Sequence, residues 1–344
     1  SDFSLRNQLK LKAWCSKYKE NLLEHRLLQW HLDRQWQSLR KLAIELGVLL
    51  LGDLPFYVSR DSSDVWSNRS LFSILTEGSL MNQSGVPPDY FSEKGQLWGT
   101  PVYRWEKHKR SRFRWWRSRF ARHLEQVDLL RLDHFRALES FWSVAGDQIT
   151  AEHGQWCPSP GLELLRLLKN DCDGKLPLIA EDLGVITPEV EALRDYFELP
   201  GMKILQFAFD GDFKNPYLPE NILGNNWIVY TGTHDNQTTC SWWNELNEEM
   251  QEIVSNRFTN KSRVPCLNLI ELGLKTESML FVAPLQDILC LDDQSRFNKP
   301  GTIEGNWNWR FLGFDSKVTS SIQYYGELAK SNGRRLVDAN KLFD

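Results

Sequence analysis

The chain has 344 residues, 41% of them hydrophobic and 25% charged, and a formal net charge of -4 at neutral pH. That length suits one large α/β domain or two smaller ones, and the weak acidic balance supplies no global attraction for nucleic acid or an anionic membrane, so small neutral partners fit better. No apolar run approaches the ~18 residues of a membrane span and no charged-then-apolar leader opens the sequence, which therefore reads as soluble and intracellular.

In chain order, Leu28, Leu32, Trp36, Leu39, Ala43 and Leu46 recur at helical spacing, and Gly47 follows as the C-terminal stop. Val48 to Leu51 is uniformly apolar, as in a strand covered on both faces, and runs into Gly52 and Asp53. Segment 104–123 interleaves basic and aromatic residues, a pattern also found on nucleic-acid surfaces. Phe113, Trp116, Phe120 and Leu124, however, form a helical stripe that leaves the basic residues on a solvated face. Five more strands follow: VDLLRLD to Asp133, LPLIAED to Glu181 and Asp182, MKILQFAFD to Asp210, WIVYTGTHD to Asp235, and SMLFVAPLQD to Asp287. After LPLIAED, Thr187 predicts a helix N-cap with Pro188 at the first position and Val190, Leu193 and Phe197 along one face.

Strands alternating with helices predict a parallel sheet, and acids at the carboxyl ends of successive parallel strands converge on one mouth, where α/β enzymes bind ligands. One such acid caps a helix as readily as it serves chemistry; six together argue for a site. An eight-stranded barrel and an open doubly wound sheet are both compatible with this pattern. Fifteen tryptophans add rings that suit the C–H face of a sugar and equally fill a core. Cys15, Cys157, Cys172, Cys240, Cys266 and Cys290 include no C-x-x-C pair, which argues for reduced thiols over a disulfide framework or a zinc site.

RLDHFR (131–136), AEDLG (180–184) and YTGTHDN (230–236), in this order and spacing, resemble glycoside hydrolase family 77, the amylomaltases or 4-α-glucanotransferases. The likeness continues through GDLPFYVSRDSSDVW (52–66), GVPPDYFSEKGQLWGTPVY (85–103), GVITPEVEALRDYF (184–197), LPGMKILQFAFDG (199–211), APLQDILCL (283–291) and NKPGTIEGNWNWR (298–310). It implies a (β/α)8 TIM barrel of the α-amylase superfamily type. Family members carry two further barrel strands ahead of this stretch, so the six strands are expected to be strands three to eight. On that expectation residues 1–344 are one catalytic barrel, 1–46 a helical insertion and helix leading into the third strand, and 54–127 an active-site loop insertion and helix.

The implied activity is transfer of α-1,4-glucan segments between maltooligosaccharides, with retention and without a metal or organic cofactor. Retention needs a carboxylate nucleophile and a protonated carboxyl on opposite sides of the bond. The resemblance assigns Asp133 as nucleophile, Glu181 as acid/base and Asp235 as the acid that stabilises the transition state. The residues agree: Arg131 shares a strand face with Asp133 and would keep it ionised, while Leu178, Ile179 and Ala180 give Glu181 an apolar approach that would raise its pKa. Only one of the adjacent Glu181 and Asp182 can face the mouth. Substrate contacts are implied at Arg131, His134 and His234, and at Asp89, Tyr90, Phe91, Gln96 and Trp98 in a mobile loop. Asp210 is a further implied contact, as is Asn306 on the acceptor side. The partners implied are α-1,4-glucans and maltooligosaccharides, not nucleic acid or membrane. The compartment expected is the cytoplasm, or a plastid if a transit peptide precedes this sequence. An inert fragment, a non-catalytic glucan binder and a hydrolase are the competing readings, since water and a sugar hydroxyl can attack the same glucosyl-enzyme. Nothing in the sequence speaks to oligomeric state.

Overall fold

The computed structural model describes residues 2–88, 92–302 and 304–334, which fall into two compact units, 2–199 and 200–334. In the first unit, α1 (Gln8–Lys17) and α2 (Lys19–Glu45) lead into β1 (Leu51–Leu54), α3 (Ser63–Ser67), β2 (Asn82–Val86), β3 (Gln96–Pro101), α4 (Trp105–Arg110) and α5 (Arg114–Leu124). There follow β4 (Leu129–Leu132), β5 (Ser140–Ala145), β6 (Gly154–Pro158), α6 (Gly161–Asp171), β7 (Leu178–Ala180) and α7 (Pro188–Tyr196). Strands β1, β4 and β7 form a parallel sheet in that order, with Asp53 opposite Arg131 and Leu132 opposite Ala180. Leu130, Leu132 and Leu178 pack with Trp116 and Phe120 of α5 and with Leu164, Leu165 and Leu168 of α6. Each large apolar side chain so buried contributes roughly 1.5–3 kcal/mol, which fixes the sheet under its helices.

Several elements depart from the sequence reading. Strand β1 starts at Leu51, because Leu50 is taken by Asp128, whose carboxylate accepts its N–H at 2.8 Å. Asp53 therefore lies inside the strand rather than at its end. Gly47 (φ +68) does stop α2, its N–H donating to the Ile44 carbonyl. The stripe on α2 is not an inner face, however: Leu28, Leu32, Leu39 and Leu46 are exposed and only Ala43 is buried. Polar anchors hold that helix instead, the Trp36 indole donating to the Gln126 carbonyl at 2.7 Å and Arg40 reaching Asp128 at 3.0 Å.

Segment 104–123 is two helices, broken where Arg112 and Phe113 take left-handed φ values of 51 and 53. Its aromatics nonetheless point inward as read, with Phe113, Trp116 and Phe120 fully buried. Arg117 pairs with Asp171 at 2.6 Å, and Arg122 with Asp33 at 2.8 Å. Thr187 sits at the N-cap of α7, but its hydroxyl bonds the Glu189 carboxylate rather than the helix backbone. The sequence reading also has no counterpart for the antiparallel sheet β3-β2-β5-β6. Gln96 and Trp98, expected in a loop, stand on its edge strand β3.

The second unit contains β8 (Gly201–Ile204), β9 (Trp227–Tyr230), α8 (Thr239–Glu245), α9 (Glu248–Ser255), α10 (Pro265–Leu274), β10 (Leu280–Val282), α11 (Leu285–Ile288) and α12 (Ser316–Ser331). Its parallel sheet has the order β10-β9-β8, and Val229 packs with Leu205, Val254, Leu269 and Leu272 in the core. These strands are shorter than the apolar runs. Asp210 thus lies beyond a 3-10 turn, Leu205–Phe207, and Asp287 lies within α11. Asp287 is fully buried and accepts the Thr231 hydroxyl at 2.6 Å and both the N–H and hydroxyl of Thr239 at 2.7 Å, so it ties the start of α8 to β9. Among the described residues no helix is long and apolar enough to cross a membrane.

Candidate active site

In the first unit the chemistry-bearing residues stand at the carboxyl ends of β4 and β7. The ladder runs one residue past each strand: Asp133 donates its N–H to the Leu54 carbonyl and Glu181 to the Leu132 carbonyl, both at 3.1 Å. The backbones of both acids are thereby fixed. Arg131 is buried between carboxylates, 2.8 Å from Asp53 and 3.1 Å from Asp133. Burial disfavours its charge, but Asp53, Asp133 and Glu181 together outweigh that and hold its pKa above the ordinary range.

His134 has a left-handed backbone (φ 54, ψ 49), a conformation that costs a non-glycine residue roughly 1–2 kcal/mol. It turns two successive N–H groups toward Glu181: that of His134 donates to the carboxylate at 2.6 Å and that of Phe135 to the main-chain carbonyl at 3.1 Å. Part of Glu181 meets solvent, yet its carboxyl is enclosed by protein. Burial pushes that carboxyl up to about 8; Arg131 pulls it down and Asp133 pushes it up again. Asp182 faces the other way. It is buried against Arg194 of α7 at 2.5 Å, and Arg194 also pairs with Asp195. Strand alternation thus separates the two adjacent acids, and Gly184 (φ +82) makes the turn that follows.

Beside these acids lies a cluster of rings. Trp98 meets the His134 ring edge-on at 4.7 Å, and Tyr57 lies 5.9 Å from Trp98 and 6.2 Å from His134. The Tyr57 hydroxyl and His134 Nε2 are buried without a hydrogen-bond partner among the described residues. Burial, with Arg136 adding to it, pushes His134 down to about 3, so the ring is neutral and one nitrogen accepts. Polar atoms backed by aromatic faces suit a sugar, whose hydroxyls and C–H face need different partners. Gln96 accepts from the Trp98 indole at 3.4 Å. Tyr57 was missed in the sequence, although it sits in the GDLPFYV stretch that carries the resemblance. Asp89, Tyr90 and Phe91 lie outside the described residues.

The second unit holds Asp235 in the turn after β9. Asn298 donates to its carboxylate at 2.6 Å, His234 Nε2 lies 3.5 Å away, and Arg296 donates to its carbonyl at 2.5 Å. A Cβ at Gly232 would fall 2.9 Å from the Gln206 side-chain amide and 3.1 Å from Asn236, so the Gln206 side chain would have to shift to admit it. Trp307 lies 5.1 Å from the His234 ring and stacks on Phe297. Asn298, Arg296 and Trp307 are contacts that sequence reasoning missed; only their place in or beside NKPGTIEGNWNWR signalled them. Asn306 closes its own loop, accepting the Lys299 N–H at 2.9 Å and donating to the Thr302 carbonyl at 3.0 Å. Asp210 is exposed and caps a turn through the Asp212 N–H at 2.9 Å and the Asn215 amide at 3.0 Å.

The glycoside hydrolase family 77 model, described as 4-alpha-glucanotransferase, matches residues 1–315. The chain belongs to this family. It is 46% identical over 318 residues to a 4-alpha-glucanotransferase of Synechocystis sp., covering 90% of this chain and 62% of that protein. A 4-alpha-glucanotransferase of Thermus thermophilus is 41% identical over 339 residues, with 96% of this chain and 65% of the relative covered. The chain therefore spans somewhat less than two thirds of the length of these relatives. Among solved structures, the amylomaltase from Streptococcus agalactiae in complex with acarbose superposes with a TM-score of 0.90 at 34% identity, over 97% of this chain and 67% of the other. The fold class is accordingly α/β, the TIM-barrel type of the α-amylase superfamily, and the open doubly wound alternative is set aside.

Proposed function

We propose that this 4-alpha-glucanotransferase family chain moves α-1,4-glucan segments from one maltooligosaccharide to another by retaining double displacement. The observation that carries the reading is a pair of carboxyls in opposite states around one arginine. Asp133 is ion-paired with Arg131 at 3.1 Å, while Glu181 is enclosed and pushed up to about 8. At neutral pH about nine tenths of Glu181 then carries the proton that the leaving oxygen requires. Asp133 attacks the anomeric carbon as Glu181 protonates the glycosidic oxygen, which leaves with the shortened glucan.

The glucosyl ester on Asp133 carries no charge, so its push on Glu181 disappears while the pull of Arg131 remains. Glu181 thereby shifts from acid to base for the second half, taking the proton from the 4-hydroxyl of the acceptor. Asp235 is assigned to the sugar hydroxyls by its motif, with His234 beside it. His134, Tyr57, Trp98 and Gln96 form the rim against which a glucose ring lies. Asp89, Tyr90, Phe91, Asp210 and Asn306 are carried as contacts on the motif match alone, and the cytoplasm is the compartment proposed. Incubation with maltotriose tests the reading: glucose plus a ladder of longer maltooligosaccharides supports transfer, glucose and maltose alone indicate hydrolysis, and a well-folded but inert protein rejects catalysis. Asp133→Asn removes turnover and leaves the circular dichroism spectrum unchanged.

A further inference from the structure

Three cysteines remote in sequence meet inside the second unit. Cys240 lies in the first turn of α8, Cys266 in the first turn of α10, and Cys290 just after α11. The sulfurs of Cys240 and Cys266 are 3.4 Å apart, and the Cys290 thiol lies close enough to perturb the titration of both. Cys266 is buried, whereas Cys240 and Cys290 keep part of their surface open to solvent. Among the described residues no group of His, Cys, Asp or Glu is arranged to hold a metal ion. The other three cysteines lie in the first unit.

We propose that Cys240, Cys266 and Cys290 form an oxidant-responsive modification site, in which a hydroperoxide converts two of the three thiols into a disulfide. Cys290, partly open to solvent, is the sulfur oxidised first. Thiol hydrogen bonds from Cys240 and Cys266 favour its thiolate and push it down to about 4, with Lys317 adding to the effect against burial and Asp287. Cys240 moves up, to about 11. The Cys290 thiolate attacks one peroxide oxygen, the O–O bond breaks, and a sulfenic acid forms while alkoxide or hydroxide leaves. A neighbouring thiol loses its proton and attacks the sulfenic sulfur; the S–O bond breaks and water departs. Two thiols are oxidised and one hydroperoxide is reduced.

The position of the cluster gives this step a consequence. A disulfide requires an S–S separation of about 2.05 Å, so joining Cys290 to Cys240 or Cys266 pulls the residue after α11 toward the first turn of α8 or of α10. Cys240 is flanked by Thr239, held by Asp287, and by Ser241, whose hydroxyl accepts the Asp293 N–H at 2.9 Å. Thr238 donates its N–H to Asp293 at 2.9 Å. These bonds anchor the end of the loop that carries His234 and Asp235. Oxidation strains them and loosens that loop, and on the function proposed above it lowers transfer.

The test treats the full 344-residue chain with hydrogen peroxide, then alkylates the remaining thiols under denaturing conditions and maps the peptides. The expected result is loss of two alkylatable thiols, a cross-link within residues 240, 266 and 290 that dithiothreitol reverses, and hydrogen exchange at residues 231–241 faster by about tenfold. Cys290→Ser slows the cross-link at least about tenfold, Cys266→Ala serves as a second variant, and Cys15→Ser leaves it unchanged. Oxidation spread over Cys15, Cys157 and Cys172, sulfinic acid without a cross-link, or a cross-link that leaves exchange unaltered each overturns the proposal. No readout involves glucan, so a chain without transfer activity refutes the proposed function and leaves this site standing.

Discussion

Replacing Glu181 by glutamine is expected to stabilise the protein while removing its activity, and the gain should grow with pH. Glutamine keeps the shape and can still accept the His134 N–H, but it never ionises. In the wild type, burial moves the carboxyl from its ordinary 4.5 to about 8. Below about 4.5 the folded and unfolded chains are both protonated here, and the native contribution is complete. Between 4.5 and about 8 the unfolded chain releases a proton that the folded protein retains, so wild-type stability falls; above that range the loss is complete. At ~1.4 kcal/mol per pH unit the loss is on the order of 3 kcal/mol by neutral pH and about 5 at its limit. Urea unfolding followed by tryptophan fluorescence, from about pH 5 to about pH 9, measures it. The variant's advantage should rise to about pH 8 and then level off, while turnover drops roughly 10²–10⁴-fold for want of a proton donor. An advantage that is flat across this range would refute the enclosed, protonated Glu181 on which the mechanism stands.

Arg131→Met removes the pull on Glu181 and frees Asp53 and Asp133 from their shared cation, so turnover falls and the alkaline limb of kcat/KM moves above its wild-type place near 8; an unmoved limb counts against the coupling. Asn298→Ala deletes the 2.6 Å bond to Asp235 and should lower kcat about tenfold with little change in unfolding midpoint, whereas a change confined to KM would contradict a role in positioning that acid. Asp287→Ala strands the Thr231 and Thr239 donors in the core and should cost about 3 kcal/mol or more in urea unfolding, with Asp287→Asn recovering part of the loss.

Much of this protein was legible because short-range patterns suffice for it. Five of the six apolar runs hold a buried or half-buried parallel strand, whereas the run 48–51 gives β1 only Leu51, which is exposed. Asp133 and Glu181 were marked by following such runs, and the Arg131–Asp133 pair by strand parity. Boundaries were less legible: β1 starts late because the Asp128 side chain takes the Leu50 N–H, and Asp210 and Asp287 fall outside strands that end sooner than their apolar runs. The antiparallel sheet escaped because NQSGV and GQWCP lack an alternating apolar face, their pairing being supplied by partners elsewhere in the chain.

By itself, then, the sequence determined the family, the order of the six parallel strands, and which acids follow the apolar runs, all of them properties of neighbours along the chain. Tertiary structure alone decided what each acid does. Glu181 is enclosed beside Arg131 and Asp133, whereas Asp182, one residue on, is neutralised by Arg194; Asp287 spends its charge on two threonines. Three cysteines without a motif become a cluster only when α8, α10 and α11 bring them together. A carboxyl's desolvation and a thiol's partners depend on groups contributed from distant segments, and one-dimensional spacing carries no record of those distances.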